Sequence, residues 1–226
     1  MKIAVIIPTL NEEQALPDTL ASVARQGFDE ILVVDGGSTD GTRAVAAARG
    51  IRCVTAEPPG RARQMNAGAA ASRADVLLFL HADTRLPDGT RQAIERALDD
   101  PACAGGRFDV RFERDAGLAW LIARLISLRS RLSGIATGDQ ALFVRRSTFE
   151  QLGGFADLPL MEDVDFTRRL RQAGHLAPLR ARVVTSYRRW ERCGAIRTIV
   201  LMWTLRFLYW IGVHPSRLKD LYASIR

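Results

Sequence analysis

The sequence predicts an α/β protein in which a mainly parallel sheet is flanked by helices. Three apolar runs have the length and composition of buried strands, at 3–7, 31–34 and 76–80. Helical patterns separate them, and Pro17 fits the first turn of the first helix. Right-handed crossovers bring the carboxyl ends of parallel strands to one edge, which is where ligands bind in open α/β sheets. We therefore expect the functional residues in the polar turns after these strands.

The remaining elements follow in order along the chain. Residues 44–49 predict a second helix and 51–55 a third strand, and the Pro-Pro-Gly break at 58–60 leads into a helix that begins near Arg61. Segment 104–112 alternates apolar and charged residues from its middle onward, which predicts a half-exposed strand. Segment 118–135 predicts an amphipathic helix. Its apolar face is expected to cover the core, with contact to a membrane as the alternative, and it carries Leu118, Leu121, Ile122, Leu125 and Leu128.

Composition favours one domain and an anionic partner. The chain has 226 residues, 47% of them hydrophobic, which is enough for a substantial core. Its formal net charge is +7, and only Lys2 and Lys219 among the 32 basic residues are lysine. Arginine suits the recognition of phosphate and carboxylate, so an anionic ligand or an anionic membrane surface fits this composition. A solvated arginine-rich surface explains it equally well.

Cysteine usage predicts a reducing compartment. Cys53, Cys103 and Cys193 are odd in number and far apart, so they indicate neither a disulfide framework nor a Cys-x-x-Cys metal site. The apolar run at 3–7 is too short for a signal peptide. We therefore expect a cytoplasmic protein, with a peripheral position on the inner face of the membrane as the alternative.

Two carboxylates stand at the ends of predicted strands. Asp83 follows the strand at 76–80 and is a hard oxygen ligand suited to holding Mg²⁺ or Mn²⁺ against a diphosphate. Asp35 ends the second strand, where it could contact a nucleotide base or ribose while Gly36 lets a flat ligand approach the backbone. An Asx turn that caps the next helix explains Asp35 equally well.

Arg63 and Asn66 share a helix face and suit a diphosphate or base contact, with a solvated surface as the alternative.

Seven short motifs follow one another along the chain: Pro-Thr-Leu-Asn-Glu at 8–12, Val-Asp-Gly-Gly-Ser-Thr-Asp-Gly-Thr at 34–42, Asn-Ala-Gly at 66–68, Phe-Leu-His-Ala-Asp at 79–83, Gly-Asp-Gln-Ala-Leu-Phe at 138–143, Gly-Gly-Phe at 153–155 and Glu-Asp at 162–163. Their order resembles that of family-2 glycosyltransferases with the GT-A fold, whose Rossmann-like mixed sheet is mainly parallel. The resemblance runs from residue 2 to residue 187 and implies a glycosyltransferase domain at 1–190, with a nucleotide-binding half at 1–100 and an acceptor half at 101–190. A helical extension would follow at 191–226.

Two of these stretches narrow the resemblance. Gly-Arg-Ala-Arg-Gln-Met-Asn at 60–66 and Met-Glu-Asp at 161–163 are similar to a small bacterial subgroup associated with arsenosugar biosynthesis. In the family's Asp-x-Asp metal motif, Asp83 matches the last carboxylate, but His81 stands at the first position. Imidazole is a poorer partner for Mg²⁺ than carboxylate, so the preferred ion, Mn²⁺ or Mg²⁺, stays open. The resemblance implies these nucleotide-sugar contacts: Pro8, Thr9, Leu10, Glu12, Asp35, Gly36, Arg61, Arg63, Asn66, His81, Ala82 and Asp83.

The second half of the resemblance implies the acceptor side and the catalytic base. Asp163, with Glu162 as the second choice, would take the proton of an acceptor hydroxyl as its oxygen attacks the anomeric carbon. Acids in a first helical turn also have a purely structural explanation. Ser186 stands where processive relatives have the glutamine of Gln-x-x-Arg-Trp, so a single transfer is expected. The acceptor-side residues are Gly106, Gly138, Asp139, Gln140, Arg189 and Trp190, the last of which a core position explains equally well.

The resemblance therefore implies an inverting, non-processive transfer from a nucleoside-diphosphate sugar, expected to be UDP-linked, to a small or lipid-linked hydroxyl acceptor. We expect no nucleic-acid partner. A nucleotidyltransferase would instead need a Gly-rich basic loop after the first strand, where 8–12 stands. A noncatalytic protein that binds nucleotides or an anionic surface would be indifferent to loss of Asp83 and Asp163.

The C-terminal segment has three interpretations. Residues 196–213 are strongly apolar but contain Arg197 and Arg206, which makes a transmembrane span costly. The segment could pack on its own domain, on the second subunit of a homodimer, or in a membrane interface, where aromatic and arginine side chains are both stable.

Overall fold

The computed structural model describes residues 1–225. Eight strands and ten helices are formed within that range. The strands are β1 (Ile3–Thr9), β2 (Glu30–Asp35), β3 (Arg52–Thr55), β4 (Val76–Phe79), β5 (Thr84–Arg85), β6 (Cys103–Phe112), β7 (Leu142–Arg145) and β8 (His175–Thr185). The helices are α1 (Leu16–Ala24), α2 (Thr42–Ala47), α3 (Arg61–Ala71), α4 (Thr90–Ala97), α5 (Gly117–Ser133), α6 (Arg146–Gln151), α7 (Glu162–Ala173), α8 (Arg188–Cys193), α9 (Ala195–Trp210) and α10 (Pro215–Ile225).

All eight strands join one sheet in the order β3-β2-β1-β4-β7-β6-β8-β5. The first four in this order are parallel, because each is reached through a crossover helix. β7 pairs antiparallel with β4 and with β6, and β8 pairs parallel with β6. The predicted mixed, mainly parallel sheet is confirmed, and its parallel half brings the ends of β1, β2 and β4 to one edge.

Both faces of the sheet are covered, which explains the uninterrupted apolar runs of its central strands. On β1, Val5 and Ile7 pack in the cluster that contains Leu20 of α1. Ile6 packs in the second cluster with Met65 of α3. At Gly68, a methyl group would overlap the side chains of Ile6 and Val34, so the glycine lets α3 lie close against the sheet.

Strand β6 differs from its predicted half-exposed state. Nine of its ten residues are buried or half-buried, and Arg107 is only 4% exposed. The charged residues are accommodated by pairing, since Arg107 and Arg131 donate to opposite oxygens of Asp109 at 2.8 and 2.7 Å. The alternation at Arg107 and Asp109 therefore arises from an internal ion-pair cluster, whereas Arg111 is exposed to solvent.

Helix α5 is formed as predicted, but its packing face is not the predicted one. Ile122 is buried, whereas Leu125 and Leu128 are each 52% exposed. The buried side consists of Ile122 and small residues such as Ala119, which lie against β6. The leucine face therefore points away from the core. Its exposed members are Leu118, Leu121, Leu125, Leu128 and Leu132.

The C-terminal helices pack on the segment that introduces α7. Leu205 of α9 and Leu218 of α10 form a small core with Met161, so the chain just before Glu162 is held by these helices. Within residues 1–225, no helix is both long enough and apolar enough to cross a bilayer.

Candidate active site

The predicted edge of the sheet holds a cluster of charged residues contributed by three regions. Arg61 begins α3, Asp83 follows β4, and Glu162 and Asp163 open α7. Arg61 Nη1 lies 3.7 Å from Glu162 Oε1 and is within electrostatic range of Asp163 and Asp83. A cavity of about 10 Å³, the size of one water, lies beside this cluster and is lined in part by Pro8. The structure thus brings the acids at positions 83 and 163 around one guanidinium.

Asp83 and Glu12 converge on one cationic side chain, Arg188. The Nη2 of Arg188 lies 3.0 Å from Glu12 Oε2 and 3.5 Å from Asp83 Oδ2. Desolvation by burial raises the pKa of Glu12, with a further increase from the charge of Asp83, while the hydrogen bond from Arg188 lowers it. Arg188 was missed in the sequence, where only the adjacent Arg189 matched a family motif. Its position was the one available indication, because Arg188 follows β8 at the edge of the sheet that carries Asp83.

His81 is half-buried, and its buried Nε2 has no hydrogen-bond partner within the described part of the chain. Desolvation, together with the positive charges of Arg61 and Arg189, holds the pKa of His81 well below its usual value, so the ring is neutral. A methyl group at Gly138 would overlap this nitrogen, which shows how closely the 3₁₀ turn Gly138–Gln140 covers the imidazole. The Nε2 of His81 therefore lies under the turn.

Asp163 is half-buried and firmly oriented. Its Oδ2 accepts a hydrogen bond from the Gly138 amide at 2.7 Å, and its Oδ1 accepts one from the Val164 amide at 2.7 Å. These bonds fix the orientation of the carboxylate at the N-terminus of α7. Each oxygen keeps a second lone pair, so the carboxylate can still accept a proton from a hydroxyl.

Glu162 has a strongly raised pKa. Desolvation by burial, followed by the negative charge of Asp163, raises this pKa to about 7, and the nearby Arg61 partly opposes both effects. Its side chain is only 6% exposed. Glu162 therefore changes protonation near neutral pH, although its accessible surface is smaller than that of Asp163.

Asp35 lies at the same edge but is buried and satisfied internally. Its Oδ2 accepts from the amides of Gly37 and Ser38 at 3.2 and 3.0 Å, and its Oδ1 accepts from the Ser38 hydroxyl. This is the Asx-turn arrangement, with no exposed carboxylate surface. Thr9 is also buried, 3.4 Å from Asp35 Oδ1, while Leu10 beside it is exposed.

Gln64 is a further residue that sequence reasoning missed. Its Nε2 donates to the carbonyl oxygens of Thr9 and Val34 at 2.7 and 2.8 Å, so it ties α3 to the ends of β1 and β2. Gly36 lies directly over this amide and has no room for a side chain. Only its position between Arg63 and Asn66 could have indicated this role.

Arg63 and Asn66 hold the loop that precedes α7. Asn66 donates to the Phe155 carbonyl at 2.8 Å and accepts from the Phe155 amide at 3.0 Å. Arg63 forms an exposed ion pair of 2.6 Å with Asp157. Both side chains are thus engaged with residues 155–157, and they act on the site through the position of Glu162 and Asp163.

Replacing Asn66 with alanine is expected to lower the free energy of unfolding by about 1–3 kcal/mol, because it leaves both backbone groups of Phe155 without their partner. Arg63→Ala is the matched control on the same helix. Its ion pair is exposed, so the loss should stay below about 1 kcal/mol. Urea unfolding measures both, and equal losses would contradict the assignment of a buried clamp to Asn66.

The residues expected on the acceptor side divide into two groups. Gly138 and Asp139 lie in the turn beside Asp163, and Asp139 Oδ1 is buried without a partner among the described residues. Gln140 is fully buried and donates to the Phe108 carbonyl at 3.2 Å. At Gly106, a side chain would overlap the Phe143 ring, so this glycine serves strand packing.

The pair after β8 packs against aromatic neighbours. Trp190 contacts Phe112 with ring centroids 5.8 Å apart and stacks on Tyr187 at 6.2 Å. Arg189 lies over Tyr222, 5.2 Å from the ring centroid. The structure favours the core position for Trp190, which was one of its two interpretations.

A divalent cation has one pair of candidate ligands here. No cluster of three or more His, Cys, Asp or Glu residues that could hold a metal occurs between residues 1 and 225. Mg²⁺ commonly binds through one or two carboxylates together with substrate phosphates. Asp83, assisted by Glu12, fits that pattern because both already converge on the positive charge of Arg188. The Nε2 of His81 is covered by the turn at Gly138, and the carbonyl of Ala82, between His81 and Asp83, accepts a hydrogen bond from the Thr19 hydroxyl.

Known proteins resemble this chain in sequence. A family model described as glycosyl transferase family 2 matches residues 4–153. An uncharacterised glycosyltransferase of Mycobacterium bovis is 35% identical over 120 residues, which is 52% of each chain. The chain thus spans about half the length of the curated relatives it matches first. A glucosyl-3-phosphoglycerate synthase of Mycolicibacterium paratuberculosis is 35% identical over 92 residues, 36% of this chain and 28% of that protein.

Solved structures share the fold. TarS of S. aureus in complex with UDP-GlcNAc superposes with a TM-score of 0.66 at 20% identity, covering 82% of this chain and 58% of TarS. The mannosyltransferase PcManGT from Pyrobaculum calidifontis, in complex with GDP-Man and Mn²⁺, gives 0.65 at 21% identity, covering 81% and 56%. With the sheet order above, this likeness establishes the GT-A fold. The match over residues 4–153 then gives the family: the chain belongs to glycosyltransferase family 2.

Proposed function

We propose that this protein transfers one sugar from a nucleoside-diphosphate sugar to a hydroxyl acceptor, with inversion at the anomeric carbon. The observation that carries the proposal is the convergence of Asp83, Glu162 and Asp163 around Arg61 at the carboxyl edge of the sheet. Carboxylates for a cation and for proton abstraction, together with a guanidinium for phosphate, are the groups that this chemistry needs. The fold and family membership support the same class of reaction.

The donor is proposed to lie along the ends of β1, β2 and β4. Its diphosphate would lie near Asp83, where a bound Mn²⁺ or Mg²⁺ would neutralise leaving-group charge. Asp83 fits such an ion better than His81, because the turn at Gly138 covers the Nε2 of His81. Arg61 and Arg188 supply positive charge on either side of Asp83. A UDP-linked donor is the first candidate because TarS is solved with UDP-GlcNAc, while PcManGT is solved with GDP-Man.

The acceptor is proposed to enter beside Asp163. This carboxylate is oriented by the amides of Gly138 and Val164 and takes the proton from the attacking hydroxyl. As the new oxygen–carbon bond forms, the bond to the diphosphate breaks, and its electron pair leaves with the phosphate oxygen. Direct displacement inverts the anomeric carbon and needs no covalent bond to the protein. Glu162 does not take this proton; its role is to change the electrostatic environment of Asp163.

Several finer assignments stay predictions. The resemblance to the arsenosugar subgroup, the cytoplasmic location and a homodimer are among them. The acceptor roles of Gly106 and Gln140 are weakened, because both residues are engaged in packing. The division at residue 190 is a prediction as well, and α8 crosses it.

A donor panel tests the proposal. Thermal unfolding is measured with UDP-linked, GDP-linked and other nucleoside-diphosphate sugars, each with Mn²⁺ or Mg²⁺. At least one donor should raise the midpoint temperature of unfolding, because it binds the folded state preferentially. The same donor should be slowly hydrolysed. Asp83→Asn should abolish the shift, whereas Asp99→Asn, an exposed aspartate after α4, should retain it.

Three results would count against the proposal. If no donor raises the midpoint with either ion, the nucleotide-sugar site does not exist. If Asp83→Asn and Asp99→Asn shift alike, a donor binds elsewhere and the edge at β4 is not its site. A bound donor that is never hydrolysed or transferred would leave a noncatalytic binding protein.

A further inference from the structure

Two helices carry large apolar side chains on faces that turn away from the core. On each helix these residues recur at alternating spacings of three and four, so they form one straight stripe. Leu132 and Trp210 are each 80% exposed and Trp203 is 66% exposed. We call them the outer stripes: Leu118, Leu121, Leu125, Leu128 and Leu132 on α5, and Ile196, Val200, Trp203, Phe207 and Trp210 on α9.

The outer stripes are not an extension of the core. α5 is anchored on its opposite side by Ile122 and Ala123, and α9 is anchored by Thr198 and Leu205, all of which are buried. The stripes thus remain exposed after each helix has been fully packed. Soluble monomers seldom expose contiguous apolar surface on this scale, which marks an interaction surface.

The charged residues of α5 and α9 distinguish between two candidate partners, a second copy of this chain and an anionic surface. Neither helix contains Asp or Glu, and the arginines of both helices occupy positions that flank the stripes. In heptad terms, with the stripe at a and d, every arginine falls at e or g. Arg131 is also paired with Asp109, and Arg124 lies over the Trp120 ring. The flanking arginines are Arg124, Arg129 and Arg131 on α5 and Arg197 and Arg206 on α9.

A second copy of this chain suits these faces poorly. Helices that pair through an a/d seam place their e and g residues opposite each other, where oppositely charged residues stabilise the pair. Here self-pairing of either helix would bring arginine against arginine with no acid on the same helix. A surface that is negative over a wide area and apolar beneath satisfies both the arginines and the stripes.

One arginine of α5 is within electrostatic range of α9 and of the candidate active site. Desolvation, followed by the positive charge of Arg206 on α9, lowers the pKa of Arg129 on α5 to about 10. Asp139 and Asp163 act on the same guanidinium in the opposite direction. Beside α5 is a groove of about 340 Å³ whose rim includes Leu125. Arg129 therefore relates α5 to the acids of the candidate acceptor side.

We propose that the outer stripes and their flanking arginines dock this protein onto an anionic lipid membrane. α5 and α9 lie in the plane of the interface, with leucine and tryptophan side chains among the acyl chains and arginines at the headgroups. Tryptophan is favoured at that depth because its ring is amphipathic. This surface lies outside the donor site, and the proposal does not depend on the sugar-transfer chemistry.

Vesicle co-sedimentation of the full chain tests it. Wild-type protein should sediment with vesicles of phosphatidylglycerol mixed with phosphatidylcholine, and much less with phosphatidylcholine alone, because each arginine near an anionic surface contributes to binding. The double variant Arg124→Glu/Arg197→Glu should lower the partition coefficient at least about tenfold. The matched double variant Arg25→Glu/Arg49→Glu has the same change in net charge, on α1 and just after α2, and should lower it far less.

Apolar variants separate insertion from surface attraction. Leu125→Ser/Trp203→Ser keeps the charge, and it should also lower the partition coefficient at least about tenfold if the stripes enter the bilayer. Circular dichroism confirms that each variant is folded. Tryptophan emission of the wild type should shift to shorter wavelength with anionic vesicles.

Three outcomes would overturn the proposal. The first is absence of wild-type binding to anionic vesicles. The second is equal loss in the two charge variants, which would show a dependence on net charge alone. The third is a wild-type dimer in sedimentation equilibrium that Leu125→Ser/Trp203→Ser converts to a monomer without changing vesicle binding, which would assign the stripes to a second copy.

Discussion

Asp163→Asn is expected to lower kcat by about 10³-fold while the donor still binds and the protein still folds. Asparagine keeps the shape of the side chain and one acceptor for the amides of Gly138 or Val164. It cannot take the proton of the acceptor hydroxyl, so the attacking oxygen must lose that proton to water. Steady-state transfer with the donor found by the thermal panel measures kcat, and donor-induced stabilisation checks binding.

The control for this experiment lies two residues further along the same helical turn. Asp165 is also a carboxylate, but it bonds Arg169 at 2.8 Å and Arg168 at 3.4 Å. Asp165→Asn should lower thermal stability and leave kcat within a few-fold of wild type. If Asp163→Asn keeps kcat while Glu162→Gln loses it, then Glu162 is the base and the assignment of roles within the pair is reversed.

The sheet and the edge that carries the site could be predicted because they depend on local patterns. An apolar run that ends in a polar turn identifies both a buried parallel strand and the end at which Asp83 stands. Three such runs, joined by helical patterns, fix which ends meet. These local patterns do not predict that residues 83 and 163 belong to one site, because α7 follows the antiparallel part of the sheet. That prediction also needs the family resemblance.

Side-chain partners distant in sequence could not be predicted in this way. Arg63 and Asn66 stay predicted nucleotide contacts, and no sequence pattern indicated that they also bond residues 155–157. Nothing in the α3 sequence distinguishes a ligand from a loop as the partner of a polar helix face. Arg188 shows the same limit, because its contact with Asp83 joins residues 105 positions apart in the sequence. The contact forms only when β8 pairs with β5.

The packing face of α5 could not be predicted either, for a different physical reason. The helix has two apolar stripes, one of leucines and one of Ala and Ser with Ile122. Periodicity identifies the leucine stripe because larger side chains dominate the pattern. Close packing of the helix on β6 instead selects the small residues, as Ser127 shows by donating its hydroxyl to the Ala123 carbonyl and accepting from the Val110 amide.

Stability is expected to fall as pH rises from about 4.5 to about 7, and Glu162→Gln should remove most of that dependence. The folded state raises the pKa of Glu162 from 4.5 to about 7, so within this range the folded protein binds the proton more tightly than the unfolded chain does. The contribution is therefore fully present below the lower value and is lost above the higher one. A shift of this size corresponds to roughly 3 kcal/mol.

Urea unfolding at about pH 5 and about pH 8 measures this difference directly. Glu162→Gln should be more stable than wild type at the higher pH, because an uncharged amide is less costly to bury beside Asp163 than a second carboxylate. Glu150→Gln is the control, since its side chain is 63% exposed and its variant should keep the wild-type pH dependence. A Glu162→Gln protein that loses stability equally at both pH values would mean that the contact with Arg61 outweighs the desolvation of Glu162. In that case the raised pKa of Glu162 could not be the reason for assigning the role of the base to Asp163 and not to Glu162.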